Sequence, residues 1–242
     1  MERITIFDHN RRKIGLYTRT PTEGEELELV REFISYYCDN FLRYNKKNNL
    51  AVFIEPKVAS GFPDIVFASY SPKIMENWSC ERERLTLNDL KILSYLTATG
   101  GCTSKDIEYH LKFSDNTILQ AVETLMDAGM ILRNNGMWKP AKLEKIYSIK
   151  KLVSVEAKIT DMKKVAEQSL INTWFASESY ALTRSASPQS CTIDKFESQG
   201  TGLYCKDKGF RKIVKAKKLK LPSSYQSFLF NEWIGRALSQ ES

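Results

Sequence analysis

The chain has 242 residues, 42% of them hydrophobic, which is enough apolar material for a sizeable core and excludes disorder as its general state. Its longest apolar runs, such as Ile65 to Ala68 and Leu152 to Val155, are far too short to cross a bilayer, and the first residues lack the apolar stretch of a secretory signal, so a cytoplasmic protein is expected. The formal net charge of +7 suits a polyanionic partner but specifies no chemistry.

In chain order, residues 4–7 and 13–17 read as the strands of a hairpin about Asp8, His9 and Asn10. From Glu25 to Arg43, the residues Leu29, Val30, Phe33, Ile34, Tyr37 and Phe41 recur at helical spacing and predict an amphipathic helix. Leu50 to Ile54 and Pro63 to Ser69 are β-like stretches separated by the loop residues Ala59, Ser60 and Gly61, and together predict a second hairpin. Ser71 to Arg84 reads as a polar linker. Three helical patterns follow at Leu87 to Leu96, Ser104 to Leu111 with Thr103 as its cap, and Asn116 to Ala128 before Gly129. Met130 to Arg133 and Met137 to Lys139 then flank Asn135-Gly136, a tight-hairpin signal. Three helices and a small hairpin make a winged helix-turn-helix pattern.

After Ala141 the chain resumes the alternation of strands and helices seen before residue 70. A β-branched strand is expected at Ile149 to Ile159, a helix from Asp161 to about Ala176 and a strand at Ser179 to Thr183. Thr192 to Phe196 and Gly202 to Cys205 are expected to close the sheet, and Tyr225 to Leu238 to form a final amphipathic helix. The expected fold is therefore mixed α/β (α+β), with a core from residues 1–78 and 146–242, the C-terminal helix included, interrupted by a module at 84–140. From Leu85 to Pro140 there are five basic and six acidic residues, a net of −1, so the rest of the chain carries +8.

The five cysteines are odd in number, scattered and without a C-x-x-C pair, so reduced thiols are expected and a structural zinc site is not. With only His9 and His110 present, a divalent metal would sit on carboxylates, which favours Mg²⁺ or Mn²⁺. Neither histidine has a serine or carboxylate partner at useful spacing for a hydrolase triad, and no glycine-rich phosphate loop points to ATP.

Within Leu152 to Ile159, strand alternation puts Glu156 and Lys158 on one face and Val155, Ala157 and Ile159 on the other. Taken alone, this pair reads as a solvated ion pair, and Pro63-Asp64 at the mouth of an apolar strand reads as a turn initiator. Together, Pro63-Asp64 and Glu156-x-Lys158 resemble the motif of the PD-(D/E)XK nuclease superfamily. The resemblance covers residues 24–69 and 146–206 as an ordered set of elements, with the 91 residues between Asp64 and Glu156 as the departure.

The resemblance implies a restriction-endonuclease-like fold and Mg²⁺-dependent hydrolysis of DNA phosphodiester bonds, with Mn²⁺ able to substitute. Asp64 and Glu156 would hold the metal, and Lys158 would orient or help deprotonate the attacking water. Gln168 matches a glutamine often found in the helix after the motif. Many members add a glutamate from the first helix. Glu26, on the stripe of Val30, Phe33 and Tyr37, is the candidate here, with Glu55 as an alternative ligand and a helix-dipole role as the plain reading of Glu26. The resemblance also implies a homodimer.

Between Lys206 and Lys220 lie eight basic residues and one acid, so Lys206, Lys208, Arg211, Lys212 and Lys215 are candidates for tracking a phosphate backbone. The opposing reading is a sheet edge protected by lysines. In the module, Asn116, Gln120 and Glu123 occupy the exposed positions of the presumptive recognition helix with no arginine or lysine, so a protein partner and DNA stand level there. Two rivals to the nuclease follow: a noncatalytic DNA-binding regulator on a nuclease-like scaffold, and a protein-interaction subunit of a defence or mobile-element system.

Overall fold

The computed structural model describes residues 3–241. Its elements in order are β1 (Ile4–Phe7), α1 (Glu25–Tyr44), β2 (Asn49–Ile54), β3 (Ile65–Tyr70), α2 (Leu87–Thr99), α3 (Ser104–Leu111), α4 (Asp115–Asp127), β4 (Ile131–Asn134), β5 (Met137–Pro140), α5 (Leu143–Ile146), β6 (Ile149–Ala157), α6 (Met162–Asn172), β7 (Glu178–Arg184), α7 (Ser190–Gln199), β8 (Gly202–Lys206), β9 (Phe210–Val214) and α8 (Tyr225–Glu241). The chain divides into one unit of residues 1–72 and 149–221 and another of 73–148 and 222–242. Among the described residues no helix is long and apolar enough to cross a membrane.

The first unit is a seven-stranded mixed sheet in the order β1-β2-β3-β6-β7-β8-β9. Alternation along its strands serves two cores. Tyr180, Leu182 and Tyr204 face α1 with Val30, Phe33 and Phe67, whereas Ala181, Leu203 and Cys205 face the other way with Val165 of α6 and Phe196 of α7. Burial on both faces explains why β2 and β3 read as nearly continuous apolar runs. Phe33 anchors the α1 layer, with Tyr204 at 4.9 Å and Phe210 at 5.1 Å in edge-on contact.

Two local expectations in this unit are corrected. Residues 4–7 do not form a hairpin with 13–17. Instead, β1 runs parallel to β2, pairing Ile4 with Leu50 and Phe7 with Phe53, and the rings of Phe7 and Phe53 stack at 4.6 Å. The turn signal leads into a short 3-10 turn, Arg12–Ile14, ended by Gly15 at φ 76°. Thr192 to Phe196 lies within helix α7, where Phe196 is buried and Gly200 at φ 71° terminates the helix. Strand β9 covers only the middle of the basic run, as an edge strand antiparallel to β8.

The second unit holds α2, α3, α4 and the hairpin β4-β5 in the predicted order, together with α5 and α8. Capping boxes start α2 (Thr86 with Asp89) and α3 (Thr103 with Asp106), satisfying otherwise orphaned N–H groups. Asn135 and Gly136 both have positive φ, as a tight hairpin turn requires. Asn116, Gln120 and Glu123 of α4 are exposed, as expected.

Helix α8 groups with this unit, whereas its sequence pattern suggested the sheet core. The reason lies in Ser71 to Arg84, which is not a polar linker but carries two 3-10 turns, Pro72–Asn77 and Cys80–Arg84. Arg82, at 2% exposure, makes a two-pronged ion pair with the fully buried Glu232 of α8, Nε to Oε2 at 3.1 Å and Nη2 to Oε1 at 2.5 Å. The Trp78 ring covers the same guanidinium at 4.3 Å. A Cβ at Gly235 would fall 1.9 Å from Trp78 Cζ3, so only glycine fits there.

Candidate active site

The site forms at one end of the central strands β2, β3 and β6. After Ile54 the chain leaves β2 through Glu55, held at φ 49°, and the loop to β3 is closed by Glu55 N–H donating to the Asp64 carbonyl at 3.1 Å. A second closure, Val58 paired with Gly61, tightens the loop, and Gly61 at φ 132° adopts a conformation that other residues rarely take. Asp64 is thereby fixed one residue before β3.

Asp64 is tied to the motif strand directly. The β3–β6 ladder runs only as far as Ile65 paired with Val155. Beyond it, Asp64 Oδ2 accepts a 2.7 Å hydrogen bond from the N–H of Ala157, the residue between Glu156 and Lys158. The Lys158 N–H donates to Leu182 O of β7 at 3.0 Å, which holds the backbone on the other side.

From this anchor the two motif side chains part. The Glu156 carboxyl is 3% exposed and its Oε1 accepts from Asn172 Nδ2 of α6 at 2.6 Å, while the same amide nitrogen donates to Ser154 Oγ at 2.9 Å. Lys158 follows the last residue of β6, and its ammonium is ion-paired and hydrogen-bonded to Glu26 of α1. Arg19 lies 2.5 Å from Glu55 Oε2, with its guanidinium over the Phe62 ring at 5.4 Å. A cavity of about 200 Å³ is lined by Arg19, Glu26, Glu55, Asp64 and Lys158, among others.

Charge crowding shapes the titration of these groups. Burial, then the neighbouring charge of Asp64, pushes the Glu156 carboxyl up to about 8, with Asn172 acting in the opposite direction. Burial also raises Asp64, partly offset by the Ala157 N–H and by Lys158. Glu55 is raised by burial and then by Asp64, with Arg19 opposing. For Lys158, burial acts to lower the ammonium, but the hydrogen bond to Glu26 and the charges of Asp64, Glu26 and Glu156 outweigh it and leave it above the ordinary lysine range.

The structure thus gathers Asp64, Lys158, Glu26 and Glu55 around one cavity, whereas Glu156 turns to Asn172, outside the cavity lining but near enough to feel the charges of Asp64, Glu55 and Lys158. Gln168 is not among the residues bonded to them, and its side-chain oxygen is buried without a hydrogen-bond partner. Asn172, one helical turn further along α6, makes the contact with Glu156 instead. Sequence reasoning missed Asn172 and Arg19. Spacing four residues from Gln168 on the same helix face would have pointed to Asn172, whereas nothing local marks Arg19. Among the described residues no group of three His, Cys, Asp or Glu side chains is arranged to hold a metal ion.

The basic candidates have separate environments. Lys206 pairs with Glu32 and lies 5.7 Å from the Phe210 ring. Arg211 donates to Ala186 O. Lys212 sits over the rings of Tyr180 and Tyr204, and Lys208 and Lys215 are exposed. No family model, curated protein or solved structure matches the chain.

Proposed function

We propose that this chain is a metal-dependent nuclease that hydrolyses DNA phosphodiester bonds, with Asp64, Glu156 and Lys158 at its centre. The observation that carries this reading is the bond from Ala157 N–H to Asp64 Oδ2, which ties the Pro63-Asp64 turn to the Glu156-x-Lys158 strand across 93 positions of sequence. A turn aspartate and an edge ion pair with structural roles alone have no need of one another.

The donor set fits a hard divalent cation. Asp64 and Glu156 are oxygen ligands whose crowded charges a cation would relieve, and Mg²⁺ takes one or two carboxylates while keeping several waters. Those two residues would hold Mg²⁺ or Mn²⁺, while Glu55 is engaged by Arg19. When bound, the ion supplies Lewis-acid polarisation of the phosphate and a more acidic water. Lys158 remains an ammonium, so its Nζ donates to developing negative charge and does not take the proton from water. Glu26 positions that ammonium. Asn172 orients the Glu156 carboxyl and favours its charged form.

A second reading is supported by the burial of Glu156. A carboxyl at 3% exposure, pushed up to about 8, is mostly protonated near neutral pH, and a protonated carboxyl is a poor ligand. A noncatalytic DNA-binding scaffold would keep it that way. Plasmid and single-stranded circular DNA incubated with wild type and Glu156→Gln in Mg²⁺, Mn²⁺ or EDTA separate the two readings. The nuclease reading expects metal-dependent cutting by wild type, reduced at least about 100-fold in the variant. Salt-sensitive binding without turnover in any metal, or equal cutting by both proteins, would reject it.

A further inference from the structure

The other end of the same strands carries a second feature that the nuclease reading does not use. A cleft of about 830 Å³ opens where α1 ends, beside Asn48 before β2, Ser69 near the end of β3 and Lys151 near the start of β6. Along β6, Lys151 and Glu156 are five residues apart, about 17 Å at strand rise. The cleft is therefore distinct from the cavity around Asp64.

Its lining joins two chemistries. Four lysines (Lys46, Lys47, Lys151 and Lys212) border it and no acidic residue does. Lys151 is held at 2.9 Å by Glu178, which also accepts the Tyr180 hydroxyl at 2.9 Å, so this carboxylate is already engaged. Among the described residues no carboxylate lies within ion-pair distance of Lys212, whose ammonium rests 5.2 Å from the centre of the Tyr204 ring. Burial and then the neighbouring charge of Lys151 push the Lys212 ammonium down, with Glu178 acting in the opposite direction.

The second chemistry is aromatic. Tyr36, Tyr37, Phe41 and Tyr44 lie on one side of the last turns of α1 and line the cleft. Tyr37 stacks on Phe67 with ring centres 3.9 Å apart, which fixes its plane. Tyr44 is 77% exposed, a large ring left in water at the rim. Cations of which only Lys151 has an ion-pair partner among the described residues, set beside an open aromatic face, suit a ligand with an anionic end and a flat end.

We propose that this cleft binds a free nucleotide, its base against Tyr44 and its phosphate between Lys151 and Lys212. The volume is that of a small-molecule site, on the order of 300–1,000 Å³. The four lysines border one hollow, whereas a bound strand calls for positive charge repeated along a groove. None of the residues assigned to hydrolysis lines the cleft, so nucleotide binding here stands or falls apart from the nuclease reading.

The test is fluorescence anisotropy of N-methylanthraniloyl AMP and ATP, titrated in EDTA at low salt with wild type, Lys212→Glu, Tyr44→Ala and Glu156→Gln. Both cleft substitutions fall at exposed positions, and circular dichroism confirms that each variant is folded. The expected result is saturable one-site binding, weakened tenfold or more by each cleft substitution and changed less than twofold by Glu156→Gln. No saturation at millimolar nucleotide would overturn the proposal, as would equal binding by the cleft variants or loss of binding in Glu156→Gln. Capture of oligothymidylate with no competition from mononucleotides would also overturn it and assign the cleft to a strand.

Discussion

The proton on Glu156 connects stability to chemistry. In the unfolded chain this carboxyl titrates near its ordinary 4.5, and in the folded protein near 8. Below the first value both states are protonated and the group contributes no pH dependence. Between the two, the folded state holds a proton that the unfolded state has lost, so stability falls as pH rises and levels off above about 8. The metal-free wild type is expected to lose thermal stability between pH 5 and 8, and Glu156→Gln to lose measurably less over the same range. Equal slopes would place the carboxyl outside this environment. On the proposed nuclease reading Asn172 acts through Glu156: Asn172→Ala should lower cleavage roughly 10-fold and move the acidic limb of the rate profile to higher pH, because the lost hydrogen bond favoured the charged form. A loss of rate with an unmoved limb would assign Asn172 a packing role only.

At the level of elements, the local signals served where local physics decides. Helix α1 and the β2–β3 hairpin follow directly from apolar spacing and a loop composition between them. The helices of the second unit were marked by Thr103 as a cap and Gly129 as a stop. What the sequence concealed depends on distant partners. β1 is bound to β2 by a parallel ladder that no adjacent turn announces. α7 shows only Ile193 and Phe196 as an apolar face, which a short window cannot separate from a strand. Arg82 looks like a linker charge until Glu232, 150 residues away, is placed beside it. Removing one partner of that buried pair leaves the other charge stranded, so Arg82→Ala should cost about 3–5 kcal/mol in chemical denaturation. The double replacement Arg82→Met with Glu232→Leu should recover most of that loss, and failure to recover would show that packing around Trp78 matters more than the charges. Phe33→Ala, which empties the centre of the α1 layer, should cost about 3–5 kcal/mol as well.

For the whole molecule, the sequence exposed the mixed α/β class and the return of the chain to one sheet after an insertion, because the hydrophobic pattern changes at both joins. It misplaced α8, whose apolar residues fit any core and whose assignment rests on the buried Arg82–Glu232 pair. The candidate site was legible as three residues and a glutamate. Its supporting groups were not, since Arg19 and Asn172 matter only through carboxylates brought to them by folding. The nuclease reading rests most directly on whether those carboxylates hold a divalent cation, a question that needs no knowledge of substrate. Mn²⁺ titration followed by electron paramagnetic resonance at pH 8 addresses it with wild type, Asp64→Asn and Glu156→Gln. One or two bound ions are predicted in wild type, with affinity at least about tenfold weaker in each variant. Absent binding, or equal binding by all three proteins, would contradict it.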